Sequence, residues 1–249
     1  MHEYNEDFYR YTNVGAVSSA KRVIPAIQRY FDVTSLADFG CGQGAWLAVW
    51  QQYGVKDVTG IDGNYVDQES ILVAPDRFIA HDLSLPIDLG RRFDLVQSLE
   101  VAEHLPEGVA EQFVDTLVRH GDIVLFSAAP PGQGGENHIN ERPYEYWRDK
   151  FDKRGYQLID IVRPSVATSP DVEVWYRYNT FVYIRTSVLE RQFPELLIHA
   201  VPKTAAIRDI SPLAYQVRKR IVRAIPEPVA NAIAGTRAAF FARFRRSRH

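Results

Sequence analysis

The sequence predicts an α/β fold, a mostly parallel sheet with helices on both faces, and three observations carry that expectation. Short apolar runs alternate with helical spacing from Ser35 to about Ile161, which is the rhythm of βαβ units. A glycine cluster joins the first apolar run to the helical pattern that follows it, as a tight strand-to-helix turn requires. Acidic or polar residues follow the later runs, where parallel strands would meet their loops. The chain has 249 residues, 46% hydrophobic and 24% charged, enough for one large domain or one domain with an appendage. That balance excludes disordered, collagen-like and mucin-like chains.

The elements follow in order. Ser35 to Phe39 reads as a buried strand. Gln43 to Tyr53 places Trp46, Leu47, Val49, Trp50 and Tyr53 on helical spacing before Gly54 stops the helix. Val58 to Ile61, Arg77 to Ala80 and Phe93 to Gln97 read as the next three strands. Pro106 opens a helix whose apolar face is Val109, Phe113, Val114, Leu117 and Val118, and Gly121 ends it. Ile123 to Phe126 is the fifth strand. The segment SAAPPGQGGENHINERP after it is too rich in Pro and Gly for helix or strand and is expected to be an active-site loop. Tyr144 to Lys153 is expected to be a helix, and Gln157 to Val162 with Asn179 to Ile184 a pair of later, antiparallel strands. The expected organisation is a helical lid over residues 1–32, a ligand-binding body over 33–188 and a basic extension over 189–249, with two short helices packed loosely on the body or not at all.

Cysteine and charge narrow the class. Cys41 is the only cysteine, so an internal disulfide, a four-cysteine zinc site and a CxxC redox pair are excluded, and a reducing compartment is expected. The acidic, aromatic start MHEYNEDFYR is unlike a secretory signal, and no stretch reaches about 18 uncharged apolar residues. The expected location is therefore the cytoplasm. Residues 201–249 hold 11 Lys plus Arg against 2 Asp plus Glu, whereas residues 1–200 hold 18 against 29. In TRAAFFARFRRSRH, Ala238, Phe241 and Phe244 share helical spacing among arginines, a pattern for peripheral contact with a membrane surface as much as for a solvated end.

The chemistry begins at LADFGCGQGAW, where Gly40, Gly42 and Gly44 let the backbone turn sharply and let a ligand lie against it and against free N–H groups of the helix start. Asp38 precedes the glycines. Asp62 ends the second strand in VTGID, beside Gly63, placed to accept from the hydroxyls of a ribose. Asp82 follows the third strand in AHDLS, beside Leu83. Three acids at successive strand ends would converge on one crevice at the carboxyl edge of the sheet.

DFGCGQG, VTGID, HDL and SLEVAEHLP, in this order, resemble the motifs of class I S-adenosylmethionine (SAM)-dependent methyltransferases, over about Val33 to Ile184. The resemblance implies a Rossmann-like fold with a seven-stranded sheet, SAM as cofactor and S-adenosylhomocysteine as product. It places Asp38 near the methionine amino group, Asp62 on the ribose and Asp82 on the adenine, with Gly40, Cys41, Gly42, Gly44, Gly63, Leu83 and Ser98 lining the cofactor. The first loop has no phosphate-binding Lys or Arg, in keeping with a ligand that lacks a pyrophosphate. The later segments PGQGGENHINERPYEYWRDKFDKRGYQLID and VEVWYRYNTFVYIR resemble bacterial methyltransferases of glycans and secondary products.

The expected reaction is transfer of a methyl group to an oxygen of a small molecule or glycan. A hydroxyl acceptor needs a base, and His138 in the glycine-rich loop is the first candidate, followed by Glu100 and His104 after the fourth strand, with Glu103 beside them. Glu136, Asn137 and Glu141 flank His138 and with it offer donors for a divalent ion such as Mg2+. The same composition suits a polar lid, which is the expectation, so no metal ligand is assigned. Tyr4, Phe8, Tyr9, Tyr11, Tyr144, Tyr146, Trp147, Trp175, Tyr176 and Tyr178 are candidates for an acceptor pocket, about half of them expected to be core. A nucleic-acid methyltransferase is disfavoured: the fourth strand lacks an Asn/Asp-Pro-Pro-aromatic sequence, and Cys41 in the glycine loop is misplaced as a nucleophile. No nucleic-acid partner is expected. A non-catalytic SAM-binding subunit stays as a further alternative, and an NAD-linked dehydrogenase is disfavoured by the GxGxG spacing.

Overall fold

A computed structural model describes residues 6–225, with side chains from Asn13 onward. It contains a seven-stranded sheet in the order β3-β2-β1-β4-β5-β7-β6. The strands are β1 Ser35–Phe39, β2 Asp57–Asp62, β3 Phe78–Ala80, β4 Leu95–Leu99, β5 Ile123–Ser127, β6 Tyr156–Ile159 and β7 Phe181–Arg185. The first five pair in parallel. β7 runs antiparallel to both β5 and β6, so the sheet is mixed only at the β6 edge.

The strands alternate between two cores because successive side chains leave opposite faces of a pleated strand. Leu36, Val58, Leu95, Leu125 and Val182 face one core, against α1 (Glu6–Gln28), α2 (Ala45–Gln52), α5 (Val162–Val166) and α7 (Thr186–Gln192). Ala37, Ile61, Val96, Val124 and Tyr183 face the other, against α3 (Ala110–His120) and α4 (Tyr144–Asp152). α6 (Val174–Asn179) leads into β7, and α8 (Leu213–Arg223) is the last described helix.

Several boundaries differ from expectation. β4 begins two residues later than the apolar run, because Asp94 leaves the ladder to accept from the N–H groups of Thr34 and Ser35 and from the Thr34 hydroxyl. Val162 begins α5 instead of ending β6, and Asn179 closes α6 instead of opening β7. Ala16, Ala20, Val23, Ile24 and Ile27 of α1 are buried in the main core, so this part of the N-terminal segment is packed wall. Tyr4 and the side chains of Phe8, Tyr9 and Tyr11 lie outside the described residues, as does the segment from Arg237 to Arg248. No described helix is long and apolar enough to cross a membrane.

Candidate active site

β1 is flanked by β2 on one side and β4 on the other, so the chain crosses over at β1, and the carboxyl ends of these strands open a crevice there. A cavity of about 820 Å3 occupies it, within the usual range for a small-molecule site. Its wall includes Asp38, Gly40, Cys41, Gly42, Asp62, Gly63, Asp82, Leu83, Glu100, His104 and His138.

On the β1–β2 side, Asp62 ties the loops together. Its Oδ2 accepts from the Gly42 N–H at 2.6 Å, and its Oδ1 accepts from the Gly63 N–H at 2.7 Å and from the Tyr65 hydroxyl at 2.5 Å. A carboxylate offers about four lone-pair positions, so these three bonds leave capacity at Oδ2 toward the cavity. Gly42 has φ of 53°, and no atom lies within 4 Å of the point where a Cβ would stand. Bare backbone thus faces the cavity, as a ligand lying along the turn requires.

Asp38 is buried and accepts from Gln97 Nε2 at 2.9 Å, while Gln97 Oε1 accepts from the Trp50 indole at 3.0 Å. Burial, joined by the charge of Asp62, pushes Asp38 up to about 8 despite the Gln97 bond. A buried acid on a cavity wall, held by one amide, is suited to pairing with a ligand cation. The donor set therefore fits SAM, a ligand carrying an ammonium and ribose hydroxyls. Asp82 accepts from the Ser84 N–H and hydroxyl, which hold its carboxyl below the usual range.

Two of the sequence-based cofactor assignments fall outside this wall. Gly44 has φ of 81° and caps the N-terminus of α2, with Val73 beside its Cβ position, so its role is to turn the chain. Ser98 is buried in β4 with its hydroxyl unpartnered, on the face of the strand opposite Gln97. Sequence reasoning instead missed Gln97, Trp46 and Tyr65. A polar residue inside the apolar strand LVQSL was the available signal for Gln97.

The β4–β5 side holds the titratable cluster. Glu100 has a left-handed backbone, φ 57°, which is costly for a residue with a side chain and frequent at functional sites. Its Oε2 accepts from Gln133 Nε2 at 2.5 Å, Gln133 Oε1 accepts from Asn179 Nδ2 at 2.6 Å, and Tyr144 donates to Asn179 Oδ1 at 2.8 Å. This chain of amides carries the wall from the loop after β5 to α6. Burial pushes Glu100 up, against the pull of its hydrogen bonds. Burial likewise pushes Glu103 well above its ordinary value, with the Glu100 charge adding to it. The Glu103 oxygens make no hydrogen bond of good geometry, lying only near the backbone N–H of Ala129 and of Glu103 itself.

His138 Nδ1 lies 2.9 Å from Glu141 Oε1, and Glu141 in turn accepts from the N–H groups of Gly132 and Gly134, each at 2.7 Å. Burial would raise Glu141, but the His138 contact and these backbone donors leave it below its ordinary range. Glu141 therefore orients His138, a role its spacing in ENHINE had left open. The His104 ring stands edge-on to His138 with centroids 4.9 Å apart, and its Nδ1 is 3.1 Å from the Asn137 carbonyl. Glu103, His104 and His138 each bring one ligand atom to within 4.8 Å of the others, the only such group among the described residues. The set differs from the Glu136, Asn137, Glu141 and His138 donors that the sequence offered without assigning a metal, because both Glu141 oxygens are occupied holding the loop.

The aromatic candidates divide. Trp175 and Tyr176 line the cavity, joined by Trp46, whose ring meets Tyr176 edge-on at 5.1 Å. Tyr144, Trp147 and Tyr178 are buried outside it, and Tyr146 packs beneath Arg142 and Lys150. Cys41 is buried, and burial with the charges of Asp62 and Asp38 pushes its thiol well above the ordinary value, the opposite of what a nucleophile needs.

A family model described as a methyltransferase domain matches residues 19–161. No curated protein is similar enough to count as a relative. Among solved structures, the sugar N-methyltransferase KedS8 from Streptoalloteichus sp ATCC 53650 is 17% identical, with a TM-score of 0.57 over 74% of this chain and 94% of that one. Magnesium protoporphyrin IX methyltransferase (ChlM) from Synechocystis PCC 6803, solved with bound SAM, is 17% identical with a TM-score of 0.51, over 74% of this chain and 86% of that one. The small RNA methyltransferase HEN1 is 17% identical with a TM-score of 0.49 over 67% of this chain, which spans only 25% of the HEN1 chain. With a fold that agrees and a family model that covers more than half its length, the chain belongs to the methyltransferase-domain family, as a class I SAM-dependent methyltransferase.

Proposed function

We propose that the protein transfers a methyl group from SAM to a hydroxyl oxygen of a small-molecule or glycan acceptor. The observation that supports this reading is His138 on the cavity wall, its ring held by Glu141. An amine acceptor already carries a usable lone pair when neutral, whereas a hydroxyl must lose its proton as it attacks. An imidazole held in orientation by a carboxylate is suited to take that proton. Trp46, Trp175 and Tyr176 offer flat apolar faces with polar edges to a sugar ring or an aromatic product.

In this reading, Asp38 pairs with the cofactor's ammonium and Asp62 accepts from its ribose, fixing it across the Gly40–Gly42 turn. SAM when bound supplies an electrophilic methyl group on a sulfonium. The acceptor oxygen is held roughly 3 Å from that carbon, opposite sulfur, so positioning carries most of the rate. His138 would take the hydroxyl proton as the acceptor oxygen is methylated. Glu100, steadied by Gln133 and Asn179, lines the acceptor side.

The test is release of S-adenosylhomocysteine across matched hydroxyl and amine acceptors, sugar nucleotides among them, with and without added divalent ion. Turnover of hydroxyl acceptors that fails in His138→Ala supports the reading. Turnover of amines alone, or a His138→Ala variant as fast as the parent, overturns it.

A further inference from the structure

α8 has two unlike faces. Its inner face is locked to the body: Lys219 is buried and its Nζ lies 2.5 Å from Asp209 Oδ2, and Gln216 donates to the carbonyls of Asp209 and Ser211. This face also clasps the loop after β5. Arg218 donates to the Gln133 carbonyl at 2.9 Å, and a Cβ on Gly132 would come within 2.0 Å of the Lys219 carbonyl. Gln133 is the residue whose side chain holds Glu100.

The outer face is apolar and uncovered among the described residues. Leu213, Val217 and Ile221 are 72%, 43% and 60% exposed, and Ala214 and Ala224 are exposed with them. At about 100° per residue, these five side chains fall within roughly 100° of arc, with Arg220 and Arg223 on one border and Arg218 on the other. Soluble surfaces scatter apolar residues singly, whereas an ordered stripe bordered by cations is the pattern of a helix lying in a lipid interface. Charge argues for the same occupant: the chain from residue 201 onward carries 11 basic against 2 acidic side chains, on a body of opposite sign. A nucleic acid would engage the cations and leave the aliphatic stripe exposed.

We propose that α8 is an interfacial helix that docks this protein on an anionic lipid surface, carrying to that surface the loop of the catalytic cavity that it clasps. The inference is independent of which acceptor is methylated. Its test is co-sedimentation of the full chain with vesicles of phosphatidylcholine alone or with about 30% phosphatidylglycerol. The expected result is binding to the anionic vesicles at least about tenfold stronger than to the zwitterionic ones. Val217→Gln/Ile221→Gln and, separately, Leu213→Gln should each weaken it, the double variant by about tenfold, while SAM affinity stays at the parent value and reports an intact fold. Three results would overturn the proposal: no vesicle binding; vesicle binding untouched by the stripe variants; or a parent dimer, by light scattering, that the stripe variants dissociate without any effect on vesicles. Displacement by an oligonucleotide that is equally effective on parent and variants would also count against it, since binding would then rest on charge alone.

Discussion

The two halves of the carboxyl edge are built in different ways. On the β1–β2 side, Asp38, Gly40 and Gly42 lie within one short strand-turn-helix segment and Asp62 and Gly63 at the end of the next strand, and one carboxylate, Asp62, ties both turns together. On the β4–β5 side, the groups come from residues 97–104, 133–141 and 175–179 and are joined by side-chain amides. The first half is specified by local backbone geometry, the second by long-range packing.

The sharpest break in this comparison is His138→Ala. It should lower kcat by about 10²- to 10⁴-fold while leaving SAM affinity within about twofold, measured by turnover and calorimetry. Loss of SAM binding in that variant would show that the halves are not separate. Glu141→Gln removes the charge that orients His138 together with one of the acceptors for the Gly132 and Gly134 N–H groups, and a drop of about tenfold with a displaced kcat–pH profile is expected, where loss of the loop bond alone would move stability and not the profile.

Next in size is Asp62→Ala. Losing the charge-assisted bond that it would accept from the ribose, worth about 1.5–3 kcal/mol, should weaken SAM by about tenfold to a hundredfold. An unchanged Kd would break the assignment of this half.

A smaller effect concerns Asp38, raised to about 8 in the free protein. Its ionised form pairs with a cation, so below that pH binding must release a proton. SAM affinity should therefore rise with pH, by up to about tenfold per unit, until about pH 8 and then level off. Calorimetry in buffers of different ionisation enthalpy reads the proton directly, and a flat profile in the parent that Asp38→Asn does not alter would refute the pairing.

The smallest effect is on stability. Glu103 is raised in the folded state, so the unfolded chain gives up this proton first, and folding loses stability as pH climbs from the ordinary carboxyl range toward the folded value. Glu103→Gln removes that loss. Its Tm should match the parent near pH 4 and exceed it increasingly toward pH 8.

What was legible from residues alone follows the same division. The seven strands, the glycine turn and the acids Asp38 and Asp62 could be read because each depends on neighbours a few positions away: apolar runs, a Gly turn, a polar strand end. Gln97 carried only the faint mark of a polar residue in an apolar strand, and Tyr65 carried none; each matters through the distant or folded-back acid it holds. Ser98 was misjudged because one residue of register in a strand exchanges the faces of the sheet.

By itself the sequence determined the α/β order of elements and the carboxylates at the strand ends, because these are consequences of hydrophobic period and backbone freedom over short spans. Only the tertiary structure decided that Gln133 and Asn179 hold Glu100 and that α8 clasps the loop after β5 with one face. Those outcomes depend on which distant segments share a volume, and side-chain contact across more than thirty residues of chain leaves no periodic trace in the sequence from which it arises.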